Sequence, residues 1–239
     1  MIGAAINVAG IVLGGVAGLA MKKPPSARLQ SRLQVGLGVF TMWFGLKLTW
    51  NNLNGSLGQI FKQLGIVLLA MTLGKLLGKL LRLQKSSNEV GQYATRKMEK
   101  ASPDKPFSDG FLVATALFCV GPLTPFASLQ EGLAGFAPLF IVKALMDALA
   151  AMAFARMFGW GVLISALPVF AVQATIIRCV AALEPTLHQQ YAPMIDAINA
   201  TDGLLIFCVS LIILQLKKIE VTDYLPTLAL APLLTWWLR

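Results

Sequence analysis

The chain has 239 residues, of which 56% are hydrophobic and only 13% are charged. A soluble domain has about 25% charged residues, so this composition excludes an ordinary soluble protein and predicts that lipid surrounds much of the chain. The net charge of +9 does not indicate a nucleic-acid partner. The basic residues cluster between apolar runs, as expected of cytoplasmic flanks beside anionic lipid.

The apolar runs predict an all-α, polytopic transmembrane helix bundle with about eight spans, because one span needs roughly 20 apolar residues. The first run is interpreted as a retained helix and not as a secretory signal, since no basic residue precedes it and it is long enough to span. The predicted spans cover residues 2–21, 33–50, 57–81, 107–120, 138–158, 162–182, 202–216 and 224–238.

Small residues line one face of the first predicted helix. Gly10, Gly14 and Gly18 recur every four residues, and this G-x-x-x-G spacing lets another backbone approach closely. Asn7 lies on the same face. It either forms a hydrogen bond between helices or lines a polar path. The glycine face is also a candidate for pairing two copies of the chain into a homodimer.

Two polar stretches separate the apolar runs. Residues 82–106 predict a basic cytoplasmic connection, either a surface helix or a flexible segment, which is too short to be a domain. Residues 184–200 predict a polar connection between the sixth and seventh spans. The chain 1–239 is therefore predicted to be a single membrane domain, with helices 1–3 in 1–81, central helices 4–5 in 107–158 and helices 6–8 in 159–239.

The backbone is interrupted repeatedly near the middle of the chain, at Gly121, Pro122, Pro125 and Gly135. The piece from 124 to 134 is too apolar for an ordinary loop and too short to span. A broken or re-entrant helix fits, since non-helical backbone at membrane depth persists only when it is buried in protein or faces a water-filled cavity. A plain external loop is the alternative.

Three charged residues lie in or beside this broken segment. Lys143 and Asp147 are four residues apart and share one helical face. They either form an internal ion pair that neutralises two charges for packing, or face an aqueous pocket together with Glu131. Four polar residues are candidates for completing such a pocket: Asn7, Thr124, Ser128 and Gln173.

The basic residues also predict an orientation. Most of the 20 lysines and arginines fall in the turns after the first, third, fifth and seventh predicted spans. The positive-inside rule places these turns in the cytoplasm and both termini outside it. Helices 1–3 and 6–8 would then run in opposite directions, which is compatible with an inverted repeat.

Three motifs stand close together: FCVGP at 118–122, SLQEGL at 128–133 and KALMD at 143–147. With them the chain resembles the YqgA/YdfK family of bacterial inner-membrane proteins, a domain family of unknown function. The resemblance extends over nearly the whole chain. It implies topology and a location in the inner membrane but no activity. The chain departs from the family pattern at Asp202-Gly203, where a glycine pair is usual, and Asp202 is predicted to cap a helix.

These features favour a transporter or channel for an ion or small polar solute, with a pathway near Glu131, Lys143 and Asp147. The alternative is a membrane scaffold or sensor that acts through protein partners. No H-E-x-x-H, G-x-S-x-G or P-loop motif occurs, so neither enzymatic activity nor a cofactor is predicted. The three cysteines lie in apolar runs and His188 in a polar stretch, so no metal site is predicted either.

Overall fold

Helices make up nearly all of the chain that the structure describes, which confirms the all-α prediction. The computed structural model describes residues 1–21, 25–99, 106–135 and 138–238, with the backbone alone at 106 and 184–191. The helices are α1 (Ile2–Ala20), α2 (Ala27–Asn51), α3 (Leu57–Leu80), α4 (Leu83–Glu99), α5 (Pro106–Val120), α6 (Leu123–Ala134), α7 (Leu139–Phe158), α8 (Gly161–Ile164), α9 (Ala166–Ile213) and α10 (Thr227–Trp237), with a 3-10 turn at Val221–Tyr224 before α10.

The helices cluster into two compact units. Unit 1 comprises Met1–Arg32 and Ser87–Ala182, and unit 2 comprises Leu33–Ser86 and Leu183–Arg239. The units cut across the predicted grouping by chain order, since α1 belongs with α5, α6 and α7, whereas α3 belongs with α10. The single membrane domain predicted for 1–239 stays a prediction.

In unit 1, α1 and α7 run in parallel with their backbones in contact. A Cβ atom on Gly10 would lie 2.7 Å from the carbonyl oxygen of Ala144, and one on Gly14 would collide with the carbonyl of Ala148. Gly18 continues the contact one turn later. The predicted close approach at the glycine face is therefore confirmed, and the partner is α7 of the same chain. A homodimer stays a prediction, and it would have to use another surface.

Helices α5 and α6 form one bent pair. They meet at the predicted break, Gly121-Pro122, with an angle of 58° between them. Gly135 ends α6 in the left-handed region, with φ of 78°. The 124–134 piece is thus helical, and the alternative of a plain external loop is wrong.

The bent pair reaches from one end of unit 1 to the other. Near the start of α5, a Cβ on Gly110 would lie 2.5 Å from the Cβ of Phe158, at the end of α7. Near the end of α6, Glu131 contacts Gly3 at the start of α1. Because α1 and α7 are parallel, these two contacts lie at opposite ends of unit 1. The geometry is that of a broken helix that crosses the unit, not of a re-entrant loop.

In unit 2, glycines again mark where helices touch. A Cβ on Gly45 would lie 2.6 Å from the carbonyl oxygen of Gly203, and one on Gly38 would lie 2.6 Å from the side chain of Leu214. The two contacts run in opposite chain directions, so α2 is antiparallel to the second half of α9. Helix α3 packs in the same antiparallel manner on the start of α10, through Gly74.

The predicted basic connection is a helix, α4, over most of its length, while residues 100–105 lie outside the described part of the chain. Asp223 holds the first turn of α4, because its Oδ1 accepts a hydrogen bond from the backbone N–H of Gln84 at 2.8 Å. Near its end, Lys97 Nζ lies 2.7 Å from Asp109 Oδ1. The hydrogen bond to Asp109 raises the pKa of Lys97 above its usual 10.5. The stabilisation linked to this shift is therefore present at neutral pH and is lost as the pH rises through that raised pKa.

The stretch predicted as a polar connection, 184–200, is helical, because α9 extends from Ala166 to Ile213. Residues 184–191 still separate two candidate spans, Gly161–Leu183 and Ala192–Ile213, so the second of these spans begins earlier than predicted. The prediction depended on Pro185, Pro193 and the polar residues around them. A proline removes only one backbone N–H, and the alanine, isoleucine, methionine and glutamine residues of this stretch tolerate a helix. Asp202 accordingly lies inside α9, fully buried, and does not cap a helix.

Four segments are long and apolar enough to cross a membrane: Ile2–Ala20, Leu57–Leu80, Gly161–Leu183 and Ala192–Ile213. The bent α5–α6 pair makes a fifth. Helix α7 is not among them because it carries Lys143, Asp147 and Arg156, and α10 has only 11 residues. Helix α2 is not among the candidate spans either, because polar residues interrupt its apolar run. The prediction of about eight spans is thus not confirmed, and length and composition support four to five.

Candidate functional site

The break between α5 and α6 leaves the backbone carbonyl of Phe118 without its helical donor. In an α-helix the carbonyl of residue i accepts from the N–H of residue i+4, and proline has no N–H. Pro122 therefore releases the carbonyl of Phe118. Two buried side chains donate to it instead, Thr124 Oγ1 at 2.9 Å and Lys143 Nζ at 3.1 Å. The carbonyl also lies near the negative end of the α5 dipole, which favours a cation there.

Lys143 joins this carbonyl to Asp147. Its Nζ donates to Asp147 Oδ2 at 2.8 Å, one turn along α7. The same carboxylate oxygen accepts from Asn7 Nδ2 at 3.1 Å. Asn7 thus forms the hydrogen bond between helices that is one of its two predicted roles. The result is a chain of contacts that joins α1, α7 and the break.

The two charges differ in their access to the surroundings. The Lys143 side chain is 3% exposed, whereas the Asp147 side chain is 13% exposed. Removing an ion pair from water costs free energy that the attraction does not always recover, so the pair is weak evidence of a stabilising role. Ionisable residues inside a membrane helix more often belong to a transport path or a proton relay.

Glu131 binds the start of α1. Its carboxylate accepts hydrogen bonds from the backbone N–H groups of Gly3 at 2.8 Å and Ala4 at 3.1 Å. The amino nitrogen of Met1 lies 2.5 Å from Oε1. The first N–H groups of a helix have no intrahelical acceptor and carry positive partial charge, so a buried carboxylate is stabilised there. Glu131 therefore attaches α6 to α1, one turn from Asn7.

Ser128 and Gln173 are both fully buried in unit 1. Within the described ranges, neither the Ser128 hydroxyl nor either polar atom of the Gln173 amide has a hydrogen-bond partner. A buried polar group without a partner costs roughly 1–3 kcal/mol. The hydrogen bonds among the described residues join Asn7, Thr124, Lys143 and Asp147, and they leave Ser128 and Gln173 outside that chain.

The sequence also contained two features that identify further members of the site. Pro122 lies four residues after Phe118, which is enough to predict a released carbonyl at the break. The start of α1 has no Ser, Thr, Asp or Asn at its cap, which predicts that its free N–H groups need an acceptor from elsewhere. Only the identity of that acceptor, Glu131, required the structure.

The described residues contain no group of three or more His, Cys, Asp or Glu side chains placed to hold a metal ion. The side chain of His188 lies outside the described part. The oxygen atoms around the Lys143 ammonium are a backbone carbonyl and a carboxylate, which are groups that bind hard cations as well as ammonium.

A family model described as "Protein of unknown function (DUF554)" matches residues 2–236. The chain belongs to this family. The uncharacterized protein YqgA of Escherichia coli (strain K12) is 29% identical over 245 residues, which cover 99% of this chain and 97% of the relative. The uncharacterized membrane protein YdfK of Bacillus subtilis (strain 168) is 25% identical over 232 residues, which cover 97% and 94%.

No solved structure matches this DUF554 chain. The resemblance to the YqgA/YdfK family is confirmed by these matches. One relative is named a membrane protein, in agreement with the apolar helices of the chain.

Proposed function

We propose that this DUF554 protein moves an ion or a small polar solute across the bacterial inner membrane, along a pathway that passes the Lys143–Asp147 pair. The supporting observation is that the pair is anchored on the Phe118 carbonyl released at the α5–α6 break. Broken helices hold the substrate and ion sites of many transporters, because their free backbone groups bind charge at membrane depth.

In this proposal Lys143 acts as an internal cation. Its ammonium contacts one carbonyl oxygen and one carboxylate oxygen, which are the groups that an alkali cation would use. A proton or cation that reaches the more exposed Asp147 weakens the attraction between Asp147 and Lys143. The pair then has a closed and a separated state, and switching between the two moves cargo past the break.

The charge distribution supports an orientation with both termini outside the cytoplasm. We retain eight crossings as part of the proposal, with α2, α7 and α10 as the spans that length and composition alone do not support. An inverted repeat is not needed for the proposed pathway, since all of its residues belong to unit 1. No enzymatic step is proposed.

The test is flux through the purified protein in proteoliposomes, across a panel of alkali cations, protons and small polar solutes. Asp147→Asn should abolish the flux, because an amide neither takes up a proton nor binds a cation in place of Lys143, so the pair can no longer switch between its two states. The variant leaves a buried ammonium unpaired and is expected to lose about 3–5 kcal/mol of stability. The double variant Lys143→Met/Asp147→Asn removes both charges, so it should regain most of that stability and still carry no flux.

Asp109→Asn is the matched control. It makes the same change in another close lysine–aspartate pair, Lys97–Asp109, which lies away from the break. Its flux should equal that of the wild type. If the stable double variant carries wild-type flux, the pathway does not pass the pair. If the wild type carries no flux across the whole panel, a scaffold or sensor function is favoured instead.

A further inference from the structure

Unit 2 contains a pocket of ≈ 420 Å³ that the predicted site does not include. It lies where α2 ends and α3 begins, and it is closed by α9 and by the last turn of α10. The volume falls in the roughly 300–1,000 Å³ range of small-molecule sites. By the charge distribution, this end of unit 2 faces the outside of the cell.

The pocket has an apolar floor and a polar rim. Val67 and Ala200 in the floor are 2% and 1% exposed, so that part is closed. Among the described residues, the rim carries the cation Lys62 and the anion Asp196, together with the side-chain amides of Asn52, Asn54, Gln59 and Gln63. Lys62 is exposed and Asp196 half-buried.

Hydrogen bonds hold the rim in shape. The backbone N–H of Asn54 donates to Gln63 Oε1 at 2.9 Å, and Gln63 Nε2 donates to the backbone carbonyl of Asn54 at 3.0 Å. Asn54 Nδ2 donates to Asp196 Oδ2 at 3.4 Å, which ties the α2–α3 turn to α9. The rim is pre-organised, which lowers the entropy lost when a ligand binds.

We propose that this pocket binds a small zwitterion, a molecule with a primary ammonium and an anionic group a few bonds apart. Lys62 contacts the anionic group, Asp196 contacts the ammonium, and the apolar floor receives the carbon skeleton. Two sources carry this chemistry, a free amino acid and the phosphoethanolamine headgroup of a phospholipid. The site lies in unit 2 and does not depend on the pathway proposed in unit 1.

The test is the thermal unfolding of the full chain in detergent, with each standard amino acid or with soluble O-phosphoethanolamine added. At least one zwitterion should raise the unfolding temperature, and its dissociation constant then follows from titration. Lys62→Met and Asp196→Asn should each weaken that binding about tenfold or more, since each loses a charge-assisted hydrogen bond. Lys79→Met is the matched control, because Lys79 is an exposed lysine of the same helix outside the pocket, and it should bind as the wild type.

Single-charge analogues and lipid nanodiscs complete the design. The methyl ester and the N-acetyl form of the bound amino acid should bind about tenfold or more weakly, because each lacks one of the two charges. Stabilisation by O-phosphoethanolamine and by phosphatidylethanolamine nanodiscs, without an amino-acid effect, assigns the site to the lipid headgroup. The proposal is overturned if no zwitterion binds, if either analogue binds as well, or if Lys62→Met and Asp196→Asn leave the affinity unchanged.

Discussion

At the scale of single residues, the most consequential one is Pro122, which makes no side-chain hydrogen bond. Its missing N–H releases the Phe118 carbonyl, and that carbonyl is what Lys143 binds. A lysine in a membrane helix needs such an acceptor, because an unpaired ammonium in hydrocarbon is very costly. The proline thus explains why a buried cation is tolerated on α7.

Pro122→Ala returns an N–H that competes with Lys143 for the carbonyl, so we expect the bend to open and the flux to fall while the chain remains folded. Spin labels at Phe107 and Ala134, with the native cysteines replaced by serine, report the bend. A straight helix places these positions about 40 Å apart, and the 58° bend shortens that by about 5 Å. The distance should therefore increase in the variant.

Pro138→Ala is the control for this experiment. Pro138 is the cap residue of α7, where no helical N–H is required. In Pro138→Ala, the distance between the labels at Phe107 and Ala134 and the flux should both match those of the wild type. An unchanged distance in Pro122→Ala would mean that packing of the neighbouring helices, and not the proline, sets the break.

At the scale of helices, the contact between α1 and α7 holds the site together. Asn7 meets Asp147 only because the two backbones touch along Gly10, Gly14 and Gly18. Glu131 adds a second attachment at the start of α1. Because α1 binds both Glu131 of α6 and Asp147 of α7, it fixes the positions of α6 and α7 relative to each other along the α1 axis.

Gly14→Ala should destabilise the protein by about 1–3 kcal/mol, because its new Cβ would collide with the Ala148 carbonyl. Gly36→Ala is the matched control on α2, where a Cβ meets nothing within 4 Å. That variant should be neutral or gain up to about 1 kcal/mol, since alanine favours a helix. Thermal unfolding in detergent measures both, and equal behaviour of the two variants would refute the close contact.

The helical features that could be predicted are the local ones. The break at Gly121-Pro122, the glycine face of α1 and the one-turn spacing of Lys143 and Asp147 all follow from rules that span a few residues. The partner of Glu131 is 128 positions away along the chain. Its identity depends on how the helices pack, which spacing alone does not encode. The helix through Pro193 was not predicted, because two prolines and nearby polar residues indicated only a polar connection.

At the scale of the whole chain, the directions of the helices constrain the topology. In the proposed topology both α1 and α7 cross the membrane, and because the two helices are parallel, an odd number of crossings must separate them. The α5–α6 pair extends across unit 1, and α3 is long and apolar enough to span. These two make an even number, and α2 is the remaining helix of sufficient length, with 25 residues. The proposed topology therefore requires α2 as the third crossing between α1 and α7.

The division into two units was not predictable from chain order. Helices 1–3 form one run in the sequence, yet α1 packs with α7 while α3 packs with α10. Hydropathy identifies which segments are apolar, whereas the choice of neighbour depends on small-residue faces that only match in three dimensions. The zwitterion pocket of unit 2 was missed for the same reason, since its polar rim is assembled from separate helices.

The central claim is that a pathway passes the Lys143–Asp147 pair. In the proposed orientation α7 begins outside the cytoplasm, so Asp147 should be reached from outside, and thiol labelling in intact cells tests this most directly. In a chain with its native cysteines replaced by serine, Asp147→Cys should react with a membrane-impermeant thiol reagent added outside. Ala151→Cys, at a fully buried position one turn further along α7, should react only after unfolding. An Asp147→Cys variant that is folded but unreactive from outside would contradict the account, as would labelling only from the cytoplasmic side.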